Sequence, residues 1–308
     1  MAGTSDLRHR SITSRVLVET LGIMGSLGAV SVFLGNQQGN LRFAAIPLMA
    51  LQGCWFYRLY MVGHEGAHRK LLRTSRFMND VVGQGALVPL LVPLRIFRKI
   101  HAFHHGQNRR DHKTAVLDTF VVNTPPSSAR RTLLRGIFFW NVFGGGYFLQ
   151  SLVSIMLFLF LPLSVARKVS PAFKGWTVRD QLVSVAQFVL GLAFHVVVVA
   201  AFGWDAWLFS LGMPLLAFAW VYSLMVYIFH YDTSYGRPVT ANVRNLDSNA
   251  VVRWWLMNFN EHATHHEDAT IPWYDLPSGQ TDHGSRQSLL SAIGRQFAGP
   301  NIVVEERV

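Results

Sequence analysis

Four apolar runs, at residues 16–34, 43–62, 182–202 and 207–229, decide what this chain can fold into. A helix rising about 1.5 Å per residue needs roughly 20 apolar residues to cross about 30 Å of hydrocarbon. The composition agrees with that length. The chain has 308 residues, 50% of them hydrophobic and only 15% charged, and its mean hydropathy is +0.25. Such a sequence builds an integral membrane protein rather than a soluble domain. The lone Cys54 excludes an intrachain disulfide framework and a cysteine-rich metal site. A net charge of +11 could suggest nucleic acid, but the basic residues flank apolar segments, as loop charge beside membrane spans does. Arg8, Arg10 and Arg15 lead directly into the first run; a cleavable signal would need a shorter apolar core and a small-residue cleavage site, so an uncleaved first span is expected.

Charge placement sets the expected topology. Residues 137–166 are also apolar, but Gly144, Gly145, Gly146 and Pro162 interrupt them. Basic residues crowd the stretch from Arg69 to Arg135 and recur at Arg167, Lys168, Lys174 and Arg179, whereas the short connections 35–42 and 203–206 contain only Arg42. By the positive-inside rule both basic segments face the cytoplasm. Residues 137–166 should therefore enter and leave on one side, as a re-entrant hairpin or an interfacial helix pair. Residues 77–94, broken by Pro89 and Pro93, read as another interfacial segment. The expected fold is all-α: a four-helix transmembrane bundle with interfacial helices and a cytoplasmic cap formed by 63–135 and 230–308. Residues 1–308 then make one membrane-bound domain with both termini in the cytoplasm. Arg58, in the last turns of the second span, is expected to snorkel to that surface. Trp204, Trp207, Tyr227 and Tyr231 near span ends read as an interfacial belt.

Three histidine runs adjoin these spans: His64-Glu-Gly-Ala-His68, His101-Ala-Phe-His104-His105 and His262-Ala-Thr-His265-His266. Residues three and four apart share a helix face, so each run aims its rings at a common point. Imidazole is the commonest side-chain metal ligand, and eight of them exceed the four that one zinc ion uses. The number suits two metal ions. Imidazole without thiolate suits iron, copper or zinc, and two irons can activate dioxygen where side chains alone cannot. The expected topology puts all three runs at the cytoplasmic membrane face, which points to a lipid chain as substrate.

In order and setting, H-x-x-x-H, H-x-x-H-H and H-x-x-H-H resemble the integral membrane fatty acid desaturase superfamily, which includes membrane hydroxylases and carotenoid ketolases. The stretch from Asn260 to Pro277 is similar to its third box, N-x-x-H-x-x-H-H followed by P-x-x-x-L-P. The resemblance runs from about His64 to Pro277. It implies a non-haem centre of two iron ions, dioxygen as co-substrate, and an acyl-chain or other lipid substrate. It also implies a ninth ligand after the last span, where His230 stands. Electrons would come from a small redox protein of ferredoxin, rubredoxin or cytochrome b5 type. No His-Pro-Gly-Gly haem segment is present, so that donor is expected to be separate.

Other readings compete. His64-Glu65-x-x-His68 matches the H-E-x-x-H helix of zinc metalloproteases, with Glu65 as general base, but this leaves both H-x-x-H-H runs unexplained. A hydroxylase or ketolase of an alkyl, carotenoid or other lipid would share fold and metal site with a desaturase. Glu65, Asp111, Asp232, Asn260, Glu261, Glu267 and Asp268 adjoin the boxes and could orient ligand rings. His195, in the outer half of the third span, is expected to be a packed, hydrogen-bonded residue. His112 reads as solvated, and His9 and His283 carry no signal.

Overall fold

The computed structural model describes residues 2–115, 117–279 and 285–305; His283 lies outside them. Its helices are α1 (Ala2–Gly35), α2 (Ala45–Ala67), α3 (Arg76–Leu87), α4 (Leu94–Gln107), α5 (Ser128–Phe143), α6 (Gly146–Phe160), α7 (Leu163–Val169), α8 (Val178–Phe202), α9 (Trp204–Trp207), α10 (Met213–His230), α11 (Ala250–Trp255), α12 (His262–Glu267) and α13 (Leu289–Arg295). Among the described residues, four short strands, β1 (Thr119–Val122), β2 (Arg244–Asp247), β3 (Ser285–Ser288) and β4 (Asn301–Val304), accompany them.

Among the described residues, three helices are long and apolar enough to cross a membrane: Arg8–Gly35, Val178–Phe202 and Trp204–His230. Two bent pairs, α3 with α4 and α5 with α6, raise the number to as many as five. The protein is a helical membrane protein. The expected runs 16–34, 182–202 and 207–229 fall in the three long helices. The run 43–62 falls in α2, which is continuous over 23 residues but does not reach the same apolarity, because Gln52 and Arg58 interrupt it. Arg58 does not snorkel. It is only 1% exposed, donates from Nε to Thr20 Oγ1 at 3.2 Å, and lies 3.6 Å from Glu19. Partners on α1 are available in place of the surface, and a paired cation is tolerated inside a bundle.

By its internal contacts the chain divides into two compact units, Met1–His101 with Leu149–Val221, and Ala102–Phe148 with Tyr222–Val308. In the first unit, glycine lets helices meet backbone to backbone. A Cβ added to Gly53 of α2 would stand 2.5 Å from Ala217 Cβ and 2.7 Å from the Phe218 nitrogen on α10. One added to Gly66 would stand 2.7 Å from the Gly83 Cα on α3. The second contact lies between His64 and His68 and brings the end of α2 onto α3. Between α3 and α4 the chain bends by 95° at Pro89 and Pro93, because proline removes an N–H and restricts the residue before it. Thr177 and Asp180 form the capping box that starts α8. Asp180 also accepts from Arg95 Nε at 2.7 Å, which ties the start of α4 to α8. His195 is packed and hydrogen-bonded, as expected: Trp207 Nε1 donates to its Nδ1 at 2.9 Å, and its Nε2 lies 3.1 Å from the Pro89 carbonyl.

In the second unit, Ser127 caps α5, whose buried residues Phe138 and Val142 form its inner face. Phe138 packs against Tyr227 and Tyr231 with ring centroids 5.7 Å away in both cases. Tyr231 donates its hydroxyl proton to the Gly299 carbonyl at 2.7 Å. Both tyrosines are core residues, not members of an interfacial belt; Phe138 supplies their apolar contact and Gly299 the hydroxyl partner of Tyr231. β1 pairs with β4 and β2 with β3, both in parallel. The helical reading of the sequence did not include these ladders. The apolar interruption at 137–166 resolves into α5, α6 and α7, with breaks at Gly144–Gly145 and at Leu161–Pro162.

Candidate metal centre

In the first unit, α2 ends at the first histidine run and α4 begins the second. Ring centroids of His64 lie 4.7 Å from His68 and 4.4 Å from His101. His68 and His101 approach to 2.9 Å between their Nε2 atoms. The ligand atoms of these three residues fall within 4.8 Å of one another. Phe97, one turn before His101, stacks on it at 5.3 Å and closes one side of the group with an apolar face. Glu65 is buried, with Oε1 4.0 Å from His64 Nδ1.

In the second unit, His104, His230 and His266 form another such group, with ligand atoms again within 4.8 Å. His104 comes from α4, His230 is the last residue of α10, and His266 is on α12. The remaining histidines stand beside them. His105 is stacked on His266 at 4.2 Å and lies 4.8 Å from His265, while His262 Nε2 is 3.2 Å from His230 Nε2.

Two observations test whether a metal fits. Both ring nitrogens of His266 and Nδ1 of His230 are buried with no hydrogen-bond partner among the described residues. Such atoms cost free energy unless something accepts their lone pairs or protons, and a bound ion does so. Burial, followed by the neighbouring imidazoles led by His105, holds His266 well below the ordinary imidazole value. The ring is therefore neutral at ordinary pH, which is the form that ligates. The donors are imidazoles without thiolate, a set that iron accepts.

Around the second group lies a scaffold that sequence reasoning missed. Arg109 and Asp118 form a buried ion pair of 2.6 Å. Arg109 also donates to the Thr233 carbonyl at 2.9 Å and the Ser234 carbonyl at 3.3 Å, and Asp118 accepts the Asp232 N–H at 2.6 Å. Asn242 Nδ2 bridges the Arg109 and Gly236 carbonyls at 3.1 and 2.8 Å. These bonds fix the chain just after His104 and His105 to the loop just after His230. Asn245 accepts the Ala263 N–H at 2.7 Å, holding the start of α12. In a charged loop, Arg109 and Asp118 look like solvated residues, and no spacing rule separates them from their neighbours.

The carboxylates and amides beside the boxes occupy varied places. Glu261 takes both arms of Arg286, at 3.0 and 2.7 Å, and also accepts from Asn260 Nδ2 at 3.0 Å. Asp111 forms a capping box with Thr114 and pairs with Arg110 at 3.0 Å. Asp232 pairs with Arg295, Asp268 accepts the Thr270 N–H at 2.7 Å, and Glu267 is exposed. His112 is partly exposed and lies 3.8 Å from Glu305, and His9 is buried within α1.

Buried and half-buried imidazole groups able to hold metal ions, set beside apolar helices, define a membrane protein of the histidine-box class. Residues 41–285 match the family model described as fatty acid desaturase, and the chain belongs to that family of oxidoreductases. It is similar to the sn-1 oleoyl-lipid 12-desaturase of Synechocystis sp., at 24% identity over 289 residues, covering 85% of this chain and 74% of the relative. It is also similar to the sn-1 acyl-lipid omega-3 desaturase (ferredoxin) of Nostoc sp., at 35% identity over 83 residues, covering 27% of this chain and 21% of that protein.

Proposed function

We propose that residues 1–308 act as one membrane-bound acyl-lipid desaturase, with two iron ions held by His64, His68, His101, His104, His105, His230, His262, His265 and His266. The observation that carries this reading is the occurrence of two histidine groups in one chain of the desaturase family, each with ligand atoms inside 4.8 Å. Iron, when bound, supplies the power to activate dioxygen against an unactivated C–H bond, which side chains lack. The protein's part is to present neutral imidazoles, to hold their backbone in place through Arg109, Asp118, Asn242 and Asn245, and to keep water from the reacting chain. Asp118 and the amides act on the frame rather than on the rings.

The substrate class is an acyl chain esterified in a membrane lipid, supported by the names of the two relatives. Electrons come from a separate small redox protein, and the ferredoxin in the Nostoc relative's name favours that type of donor. The placement of basic residues supports a metal centre and both termini on the cytoplasmic side. Membership of this family leaves the zinc protease reading of His64-Glu65-x-x-His68 without support.

Expression of the chain in cells with a defined acyl composition, followed by mass spectrometry of their lipids, tests this reading together with metal analysis of the purified protein. The expected result is acyl chains lighter by two hydrogens and two irons per chain. Oxygenated lipids with the same iron content would replace desaturation by hydroxylation or ketolation. One zinc, no iron and activity without oxygen would overturn the reading altogether.

A further inference from the structure

Arg98 lies on α4 one turn before His101, and its guanidinium reaches the last turn of α2. Nε donates to the Ala67 carbonyl and Nη2 to the Gly66 carbonyl, both at 2.9 Å. These two residues stand between His64 and His68. The other arm, Nη1, donates to Asp80 Oδ2 on α3 at 3.0 Å, and Asn79 Nδ2 adds a second donor to the Gly66 carbonyl at 2.9 Å. A helix C-terminus presents carbonyls without intrahelical partners and the negative end of its dipole, so a cation there is favoured. A guanidinium can meet two carbonyls and a carboxylate at once because its donors are fixed in a fork; an ammonium has no such fork.

We propose that Arg98 is a positioning residue that sets His64 and His68 against His101. The inference rests on the reading that these three histidines hold iron. The Arg98 guanidinium bonds to two backbone carbonyls and to Asp80 rather than acting through a ring. It fixes the segment between two of the histidines from the helix that bears the third, and the tight Gly66–Gly83 contact leaves that segment little room to settle elsewhere.

The test uses the full-length purified protein in detergent with its iron bound, challenged with a chelator, and reads iron released per chain over time beside the thermal midpoint. Arg98→Gln is expected to release one of the two irons at least about 10-fold faster, the scale of outer ligand-orienting contacts, and to leave the other unchanged. Arg98→Lys, which keeps the charge and loses the fork, is expected to do the same and stands in should the glutamine variant fail to accumulate. Arg95→Gln, one turn earlier on α4, breaks the Asp180 pair and serves as the control; its midpoint should fall with iron release unchanged. Release at the wild-type rate from an Arg98 variant, or equal acceleration in Arg95→Gln, overturns the positioning role. A wild-type protein that holds no iron overturns the metal assignment first, and the role of Arg98 with it.

Discussion

Asp118 and Arg109 meet in nearly complete burial, 2.6 Å apart with side chains 0% and 2% exposed. Removing one partner would leave the other charge buried without its counter-ion, at a cost of about 3–5 kcal/mol. Asp118→Ala should therefore lower the thermal midpoint sharply and reduce yield, whereas Asp111→Ala, which loses a cap and a surface pair, should shift it less, by about 0.5–2 kcal/mol. Equal midpoints for the two variants, measured in the same detergent, would remove the buried pair from the account of stability.

His230, proposed as a ligand, and His195, a packing residue, carry opposite expectations. His230→Ala should lower iron content and abolish the lipid product, because it empties a place in the second group. His195→Gln should keep iron at the wild-type level and reduce yield at most modestly, since the site it occupies joins Trp207 to the Pro89 carbonyl. Iron per chain at matched expression decides the matter, and the reverse pattern would exchange the two roles.

The metal-stripped protein should lose stability as pH falls. His266 is held below its ordinary value by burial, so the unfolded chain takes up a proton first, once pH drops through about 6.5. Stability is then present at pH 7.5 and declines toward pH 5.5, by at most about 1.4 kcal/mol per pH unit for each such imidazole. Thermal unfolding across that range checks the sign. His266→Asn should flatten the slope, and a midpoint that rises on acidification would contradict it.

Gly53 and Gly25 give opposite expectations for one substitution. Gly53→Ala places a methyl against Ala217 and Phe218 and should cost about 1–3 kcal/mol as overpacking. At Gly25 a Cβ meets nothing within 4 Å, so alanine there should be neutral or slightly stabilising through helix propensity. Midpoints of the two variants measured side by side test the close approach of α2 to α10.

Topology yields a labelling experiment. With Cys54 replaced, cysteines at Asn36 and Gly203 should react with a membrane-impermeant reagent from outside the cell, and cysteines in the stretch from Arg69 to Arg135 should not. Outside labelling between Arg167 and Lys174 would make residues 137–166 a true span and change the side of everything after it.

The parts legible in the sequence were those with a period or a threshold. Apolar length marked the three long helices, and the three-and-four spacing placed His64 and His68 together at the end of one helix, His68 as its cap, and His101, His104 and His105 on another. Contacts between distant residues left no such trace. Arg58 was read from its distance to the span end, but its neighbours on α1, Thr20 and Glu19, decide its place. Tyr227 and Tyr231 were read from their position at a span end, and Phe138 and Gly299 decide theirs. Asp118 and Arg98 differ from solvated charges only in what the fold brings to them. The four-residue strands are too short for alternation to show.

The pairing of β1 with β4 joins residues 119–122 to residues 301–304. During synthesis β1 is made long before its partner exists, and two of the three long helices, Val178–Phe202 and Trp204–His230, emerge in the interval. Insertion into the bilayer can thus be finished while this ladder is still open. A newly made chain should therefore pass through a stage in which its long helices are already anchored while residues 119–122 still wait for the last strand that closes on them.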